Sequence, residues 1–151
     1  TTALAAIAPV RAAGAFPLVA NGDIATAAQA RDCLEQSGAD YVMIGRAALG
    51  RPWLPGQIGA MLAGREPEAI AVETKAELAR EHYEGLLSLM GREGGVRHAR
   101  KHLAAYADEA LACGLEPDEQ ARRELLTTVE PARALAALDR LFSTERLGAA
   151  A

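Results

Sequence analysis

The sequence predicts an α/β segment followed by an all-α segment, and three observations carry that expectation. Two short apolar runs near the front, "FPLVA" and "YVMIG", each stop on glycine and polar residues. A stretch with helical spacing separates them, as in a β/α unit. Beyond residue 73, amphipathic helical patterns follow one another with only short breaks.

The first strand is expected over Phe16 to Ala20 and the second over Tyr41 to Ile44, ending at Gly45. Both are continuous apolar runs without alternation, the pattern of parallel strands covered on both faces. Between them a helix from about Thr26 to Ser37 places Ala27, Ala30, Cys33 and Leu34 at helical intervals. A second helix, from about Leu54 to Ala63, starts at the prolines 52 and 55 and stops at Gly64. "GREPEAIAVE" then reads as a linker of Gly, Pro and charge.

Four helices are expected after the linker: Glu73 to Met90, Val96 to Cys113, one beginning near Pro117, and Pro131 to Phe142. Gly91 and Gly114 end the first two. Asp118 and Glu119 suit the first turn of the third, where negative charge complements the helix dipole. Short connections favour an antiparallel bundle. The domain assignment is therefore 1–64, a linker 65–72, and a helical domain 73–151, with a frayed terminal "GAAA".

Two parallel strands leave open edges, so a larger sheet must complete the first domain. The simplest completion makes them the last β/α units of a TIM (β/α)₈ barrel whose N-terminal half is missing. The opening "TTALAAIAPVR", which starts on Thr1 and reads like a helix already under way, fits the same expectation of a fragment.

Composition narrows the function classes. Half of the 151 residues are hydrophobic, enough for a packed core, and the net charge of −4 argues against a general nucleic-acid coat. The apolar stretches are too short for a membrane span, and a cytoplasmic setting is the default. Cys33 and Cys113 lie far apart in helical contexts, read as buried or idle thiols, and no metal site is expected.

In a barrel, functional groups gather at the C-terminal ends of the strands. Here those ends are Asn21-Gly22-Asp23 and Gly45-Arg46, and a short helical turn after Gly45 would offer backbone N–H groups to an anion. Taken singly, Gly22 is a turn residue, Asp23 a helix cap, and Arg46 a solvated cation or a partner of Asp23 or Asp40. Two consecutive strands ending this way support a phosphate-containing ligand at a barrel mouth. In the helical half, "GREGGVRHARKHLAAY" holds Arg92, Arg97, Arg100 and Lys101 against Glu93, a local +3. Arg97, Arg100 and Lys101 share a helix face suited to phosphates. A solvated face is the alternative. His98 and His102, four residues apart, lack further ligands for a metal. Tyr83 and Tyr106 are expected in the core. The acidic residues Glu116, Asp118, Glu119, Glu124 and Glu130 should face away from any phosphate.

"PLVANGDI", "GADYVMIGRAALGRPWL" and "GVRHARKHLAAY" together resemble the C-terminal half of a bacterial tRNA-dihydrouridine synthase, most of all the B-type branch, across nearly the whole chain. The resemblance implies an enzyme that binds FMN at the mouth of a barrel and reduces it with NADPH. Hydride then passes to C6 of a flipped-out tRNA uridine and a cysteine protonates C5. It further implies that Asn21, Gly22, Asp23, Gly45 and Arg46 bind FMN, mostly its phosphate and ribityl side. Arg97, Arg100, Lys101 and His102 fall to tRNA docking. The family's catalytic cysteine and a flavin-contacting lysine sit on earlier barrel loops without counterparts here, so no catalytic residue is assigned, and the chain alone is expected to be inactive. A stand-alone RNA-binding module with a vestigial barrel edge, or another FMN-binding barrel oxidoreductase, are the alternatives.

Overall fold

A computed structural model describes residues 9–10 and 14–144. Most of the opening Thr1 to Arg11 segment and the terminal "GAAA" lie outside the described residues. The chain forms two compact units, Thr1–Glu68 and Ala69–Ala151.

In the first unit, β1 (Val19–Asn21) pairs in parallel with β2 (Tyr41–Met43), in the register Val19 to Tyr41, Ala20 to Val42 and Asn21 to Met43. Both strands are shorter than the apolar runs that announce them. Pro17 has no N–H to give a ladder, and pairing begins at Leu18, whose carbonyl accepts the N–H groups of Asp40 and Tyr41 at 2.9 and 3.1 Å. The Leu18 N–H goes to Asp40 Oδ2 at 2.9 Å.

Helix α1 (Ala27–Ser37) has a full capping box at its start. The Gln29 N–H donates to Thr26 Oγ1 at 3.2 Å, and Gln29 Oε1 accepts the N–H groups of Ala25 and Thr26 at 2.8 and 3.2 Å. It ends at Gly38, whose φ of 64° lets its N–H return to the Leu34 carbonyl. Helix α2 (Leu54–Leu62) carries Pro55 in its first turn, where the missing N–H costs nothing.

One face of the sheet packs on these helices, so Ala20, Ile24, Ala27, Ala30, Cys33, Leu54 and Ile58 form a core. The other face is open: Val19, Tyr41 and Met43 are 54%, 61% and 49% exposed. Among the described residues, therefore, only one face of the two strands is covered. The unbroken hydrophobicity of the runs marks a second face that no described residue of this unit covers.

The second unit is helical. Helix α3 (Val72–Ala112) is broken at Gly91, where φ 71° and ψ 169° leave the helical region. Its two segments run antiparallel as a hairpin. His82 meets Tyr106, Lys75 meets Glu109, and Gly95 lies against Leu86 and Leu87. The sequence placed a loop at 91–95, but Arg92 to Gly95 are already helical. One glycine in a conformation that L-residues rarely adopt reverses the chain, so no longer loop is required.

Helix α4 (Glu119–Thr127) is capped by Asp118, whose Oδ1 accepts the Ala121 N–H at 2.8 Å, and α5 (Pro131–Leu141) starts on its proline. Their apolar stripes close over the hairpin. Tyr83, Leu103, Tyr106, Leu125 and Leu138 sit at its centre, with Tyr83 and Tyr106 in the core as the sequence indicates. Removing a side chain such as Leu125 or Leu138 from such a core costs about 2–5 kcal/mol. Met90, the expected last residue of the first helix after the linker, is 44% exposed where the chain turns.

Candidate cofactor and nucleic-acid sites

The parallel register brings both strand ends to one side of the first unit. Asn21, Gly22, Asp23 and Ile24 line a cavity with Gly45, Arg46 and Ala47, about 280 Å³ in volume. All five residues expected to hold a cofactor are therefore brought together. Ile24 and Ala47, which the sequence did not single out, supply its apolar part. Asn21 and Met43 are register partners, so the loops after β1 and β2 leave the sheet side by side.

After β2 the chain makes a single 3₁₀ turn, Arg46–Ala48, with Gly45 at its N-cap. The Ala48 N–H donates to the Gly45 carbonyl at 3.0 Å. The N–H groups of Arg46 and Ala47 precede any acceptor within the turn, as at every helix start. A Cβ built on Gly45 would meet nothing within 4 Å, so the backbone there borders open space. Arg46 forms an ion pair with Asp23 across the cavity mouth, and the two side chains are 82% and 79% exposed. That settles which carboxylate partners Arg46; Asp40 is engaged with the β1 backbone instead. A guanidinium offers five N–H donors, more than one carboxylate uses, so the pair leaves donors for an anion. Asp23 holds a positive φ of 32°, which turns the chain sharply out of β1. Cys33 is 1% exposed within the core of this unit and does not line the cavity.

In the helical unit, the turn at Gly91 opens a larger cavity of about 770 Å³. Arg92, Arg97 and Arg100 line it together with Glu93, Met90, Val96 and Val129, so the cations outnumber the one carboxylate. Arg97 and Arg100 are thus brought to one place, one helical turn apart. Lys101 is exposed but does not line the cavity. His102 turns to another side of the helix and is half-buried. Its ring lies 4.7 Å from that of His82 and 5.9 Å from that of His98. The sequence names Arg92 in the basic cluster but not on the face of Arg97 and Arg100, and it does not single out Val129, which joins them only when the helical unit folds. Glu130 pairs with Arg92 at 2.6 Å, so this carboxylate does not face away from the cationic cavity.

His82 completes a row of three histidines and shares a 3.1 Å hydrogen bond between its Nδ1 and Tyr106 Oη. Burial, then the charge of His98, holds His82 below the ordinary histidine range. For His102, burial again comes first, followed by His82, Lys101 and His98. Burial pushes the Tyr106 phenol upward. Among the described residues, no group of three or more His, Cys, Asp or Glu side chains is placed to hold a metal ion. No helix among them is long and apolar enough to cross a membrane.

Comparison with known proteins agrees with the resemblance drawn from the three sequence blocks. The dihydrouridine synthase (Dus) family matches residues 1–146. A probable tRNA-dihydrouridine synthase of Rhodobacter capsulatus is 46% identical over 139 residues, which cover 91% of this chain and 41% of that protein. One from Rhizobium leguminosarum bv. phaseoli is 41% identical over 88% of this chain and 39% of its own length. The tRNA-dihydrouridine synthase B of Xanthomonas axonopodis pv. citri is 45% identical over 70% of this chain and 32% of its own. The chain thus spans between about a third and two fifths of the length of these relatives. With a match over nearly all its residues and an identity of 46% to a relative that covers most of it, the chain belongs to the dihydrouridine synthase family.

Proposed function

We propose that this chain is the C-terminal part of an FMN- and NADPH-dependent tRNA-dihydrouridine synthase, acting in the cytoplasm on tRNA. The first unit ends a TIM barrel and supplies part of the flavin site, and the helical unit docks the tRNA. The observation that carries this reading is the convergence of Asn21-Gly22-Asp23 and Gly45-Arg46 on one cavity at the ends of two parallel strands. In a barrel, that side of the sheet is where ligands bind, and the loops after the last two strands commonly hold a phosphate.

The open face of the sheet supports the barrel. Helices cover the outside of a (β/α)₈ barrel, and the opposite face of each strand points into its interior. Val19, Tyr41 and Met43 are apolar, exposed and opposite the helices, as interior residues of an incomplete barrel would be. An N-terminal barrel half is the partner that covers them.

The residues at the cavity fit the phosphate end of FMN. Arg46 offers cationic donors, the first N–H groups of the 3₁₀ turn offer neutral ones, and Gly45 leaves the approach clear of any side chain. When bound, the flavin supplies the hydride for reduction of the uridine C5–C6 bond. This chain's share is to anchor the cofactor and, through Arg97 and Arg100 with Lys101 beside them, to hold tRNA phosphates. Neither cysteine of the chain is assigned as the proton donor.

The test separates the two sites in the complete enzyme. Gly45→Asp brings a carboxylate against the flavin phosphate and is expected to abolish FMN retention while tRNA affinity holds. Arg97→Ala with Arg100→Ala is expected to leave flavin content intact. It should also flatten the slope of log affinity against log salt for tRNA by about 0.7–0.9 for each phosphate that the arginines neutralise. Full FMN occupancy in the Gly45 variant refutes the phosphate assignment, and unchanged tRNA affinity in the double variant refutes the docking role.

A further inference from the structure

Cys113 stands outside both sites, and the thiol that the sequence reads as buried or idle has an amine and a carboxylate placed beside it. It caps the C-terminus of α3, half-buried, while Lys75 lies in the first turn of the same helix, thirty-eight residues earlier. The antiparallel hairpin brings them together. Lys75 Nζ is 3.2 Å from Cys113 Sγ and 2.7 Å from Glu109 Oε1. Glu109 Oε1 is 3.9 Å from the sulfur. The lysine and glutamate side chains are only 16% and 12% exposed, so the amine is held against the sulfur rather than sweeping through solvent.

An amine, a carboxylate and a partly accessible thiol within one hydrogen-bonded cluster can do more than pair. Sulfenic acids are electrophilic at sulfur and condense with a nitrogen close enough to reach them. We propose that Lys75 and Cys113 form an oxidation-dependent covalent cross-link that fastens the open end of the α3 hairpin, with Glu109 as the proton acceptor.

Hydrogen peroxide is the oxidant. It converts the Cys113 thiol to the sulfenic acid: the S–O bond forms, the O–O bond breaks, one water leaves, and sulfur gives up two electrons. Lys75 starts as an ammonium and passes one proton to the Glu109 carboxylate. The freed lone pair then attacks sulfur, the N–S bond forms, the S–O bond breaks, and the hydroxyl leaves as water with a second nitrogen proton. Thiol, amine and peroxide thus yield the N–S link and two waters. Burial by itself lowers the lysine, but its hydrogen bonds to Glu109 and Cys113 outweigh that and raise it above its ordinary value. The neutral amine is therefore scarce near neutral pH, and the yield of the cross-link rises with pH.

The chain supplies its own control, since Cys33 is 1% exposed and has no part in this cluster. The experiment treats the purified chain with hydrogen peroxide, blocks remaining thiols, and digests with a protease that cleaves after lysine. The expected result is loss of cleavage at Lys75 and a joined Lys75–Cys113 peptide lighter by two hydrogens. Dithiothreitol should reverse it, and the yield should rise with pH. Lys75→Arg keeps a cation beside Glu109 but should give no cross-link, its Cys113 passing on to sulfinic acid. Oxidation of Cys113 in the unsubstituted chain with Lys75 still fully cleaved overturns the proposal. So does a thiol that survives peroxide unchanged, and both readings are independent of how well the variant folds.

Discussion

Gly95→Ala tests the packing of the α3 hairpin, and its sign is not obvious from the sequence. In an isolated helix, alanine stabilises relative to glycine by about 1 kcal/mol. At residue 95 the added Cβ would lie 2.7 Å from Leu87 Cα and 2.8 Å from the Leu86 carbonyl oxygen. Both are backbone atoms, which no rotamer change can clear. Ordinary contact starts at 3.4 Å, so the two segments must separate by the difference, 0.7 Å, at the point of closest approach. Overpacking of this kind costs about 1–3 kcal/mol. Set against the propensity gain, the net change runs from about zero to a loss of about 2 kcal/mol, at most roughly 16 °C in the thermal midpoint of a helical unit of this size. Gly85 is the control, since its Cβ would meet nothing within 4 Å. Gly85→Ala should raise stability by about 0.5–1 kcal/mol. Urea unfolding followed by far-UV circular dichroism reads both. A Gly95→Ala chain stabilised as much as the Gly85→Ala chain, with an unchanged denaturant slope, would refute the close approach of the two segments.

The histidine row makes the helical unit acid-sensitive. His82 and His102 titrate below the ordinary histidine value of 6.5, so at intermediate pH the unfolded chain binds more protons than the folded one. Their contribution is fully present above the unfolded value and is lost as pH falls through the lowered folded values. Denaturant midpoints compared at about pH 7.5 and about pH 5.5 should show this, and His82→Gln should reduce the difference. Glu109→Ala removes the carboxylate that pairs with a largely buried Lys75 ammonium and is expected to cost about 1–3 kcal/mol by the same unfolding assay. Thr26→Ala removes half of the α1 capping box and should cost about 1 kcal/mol, read as earlier melting of the first unit.

Much of this molecule was legible in its sequence because the signals are local. The proline starts of α2 and α5 and the acidic start of α4 lie within a turn of the residues they organise, whereas the cap of α1 is Thr26 and not Asp23, because the chain turns out of β1 before the helix begins. The cofactor residues were legible for a related reason: they sit at strand ends, and a β/α repeat places such ends on one side whatever lies between. Strand limits were less legible, since Pro17 and the Leu18 pairing, rather than hydrophobicity, decide where β1 begins.

By itself the sequence determined the order of elements, the parallel pair of strands, and the family to which the chain belongs. The tertiary structure alone decided which residues become neighbours across the Gly91 turn. It set Arg92 beside Arg97 and Arg100, moved His102 away from them toward His82, and brought Lys75 against Cys113. The physical reason is that helical periodicity specifies which face a residue occupies but not what that face meets. A single positive-φ glycine folds two helical stripes onto each other, and the register of that closure is set by side-chain packing and by the bare backbone at Gly95.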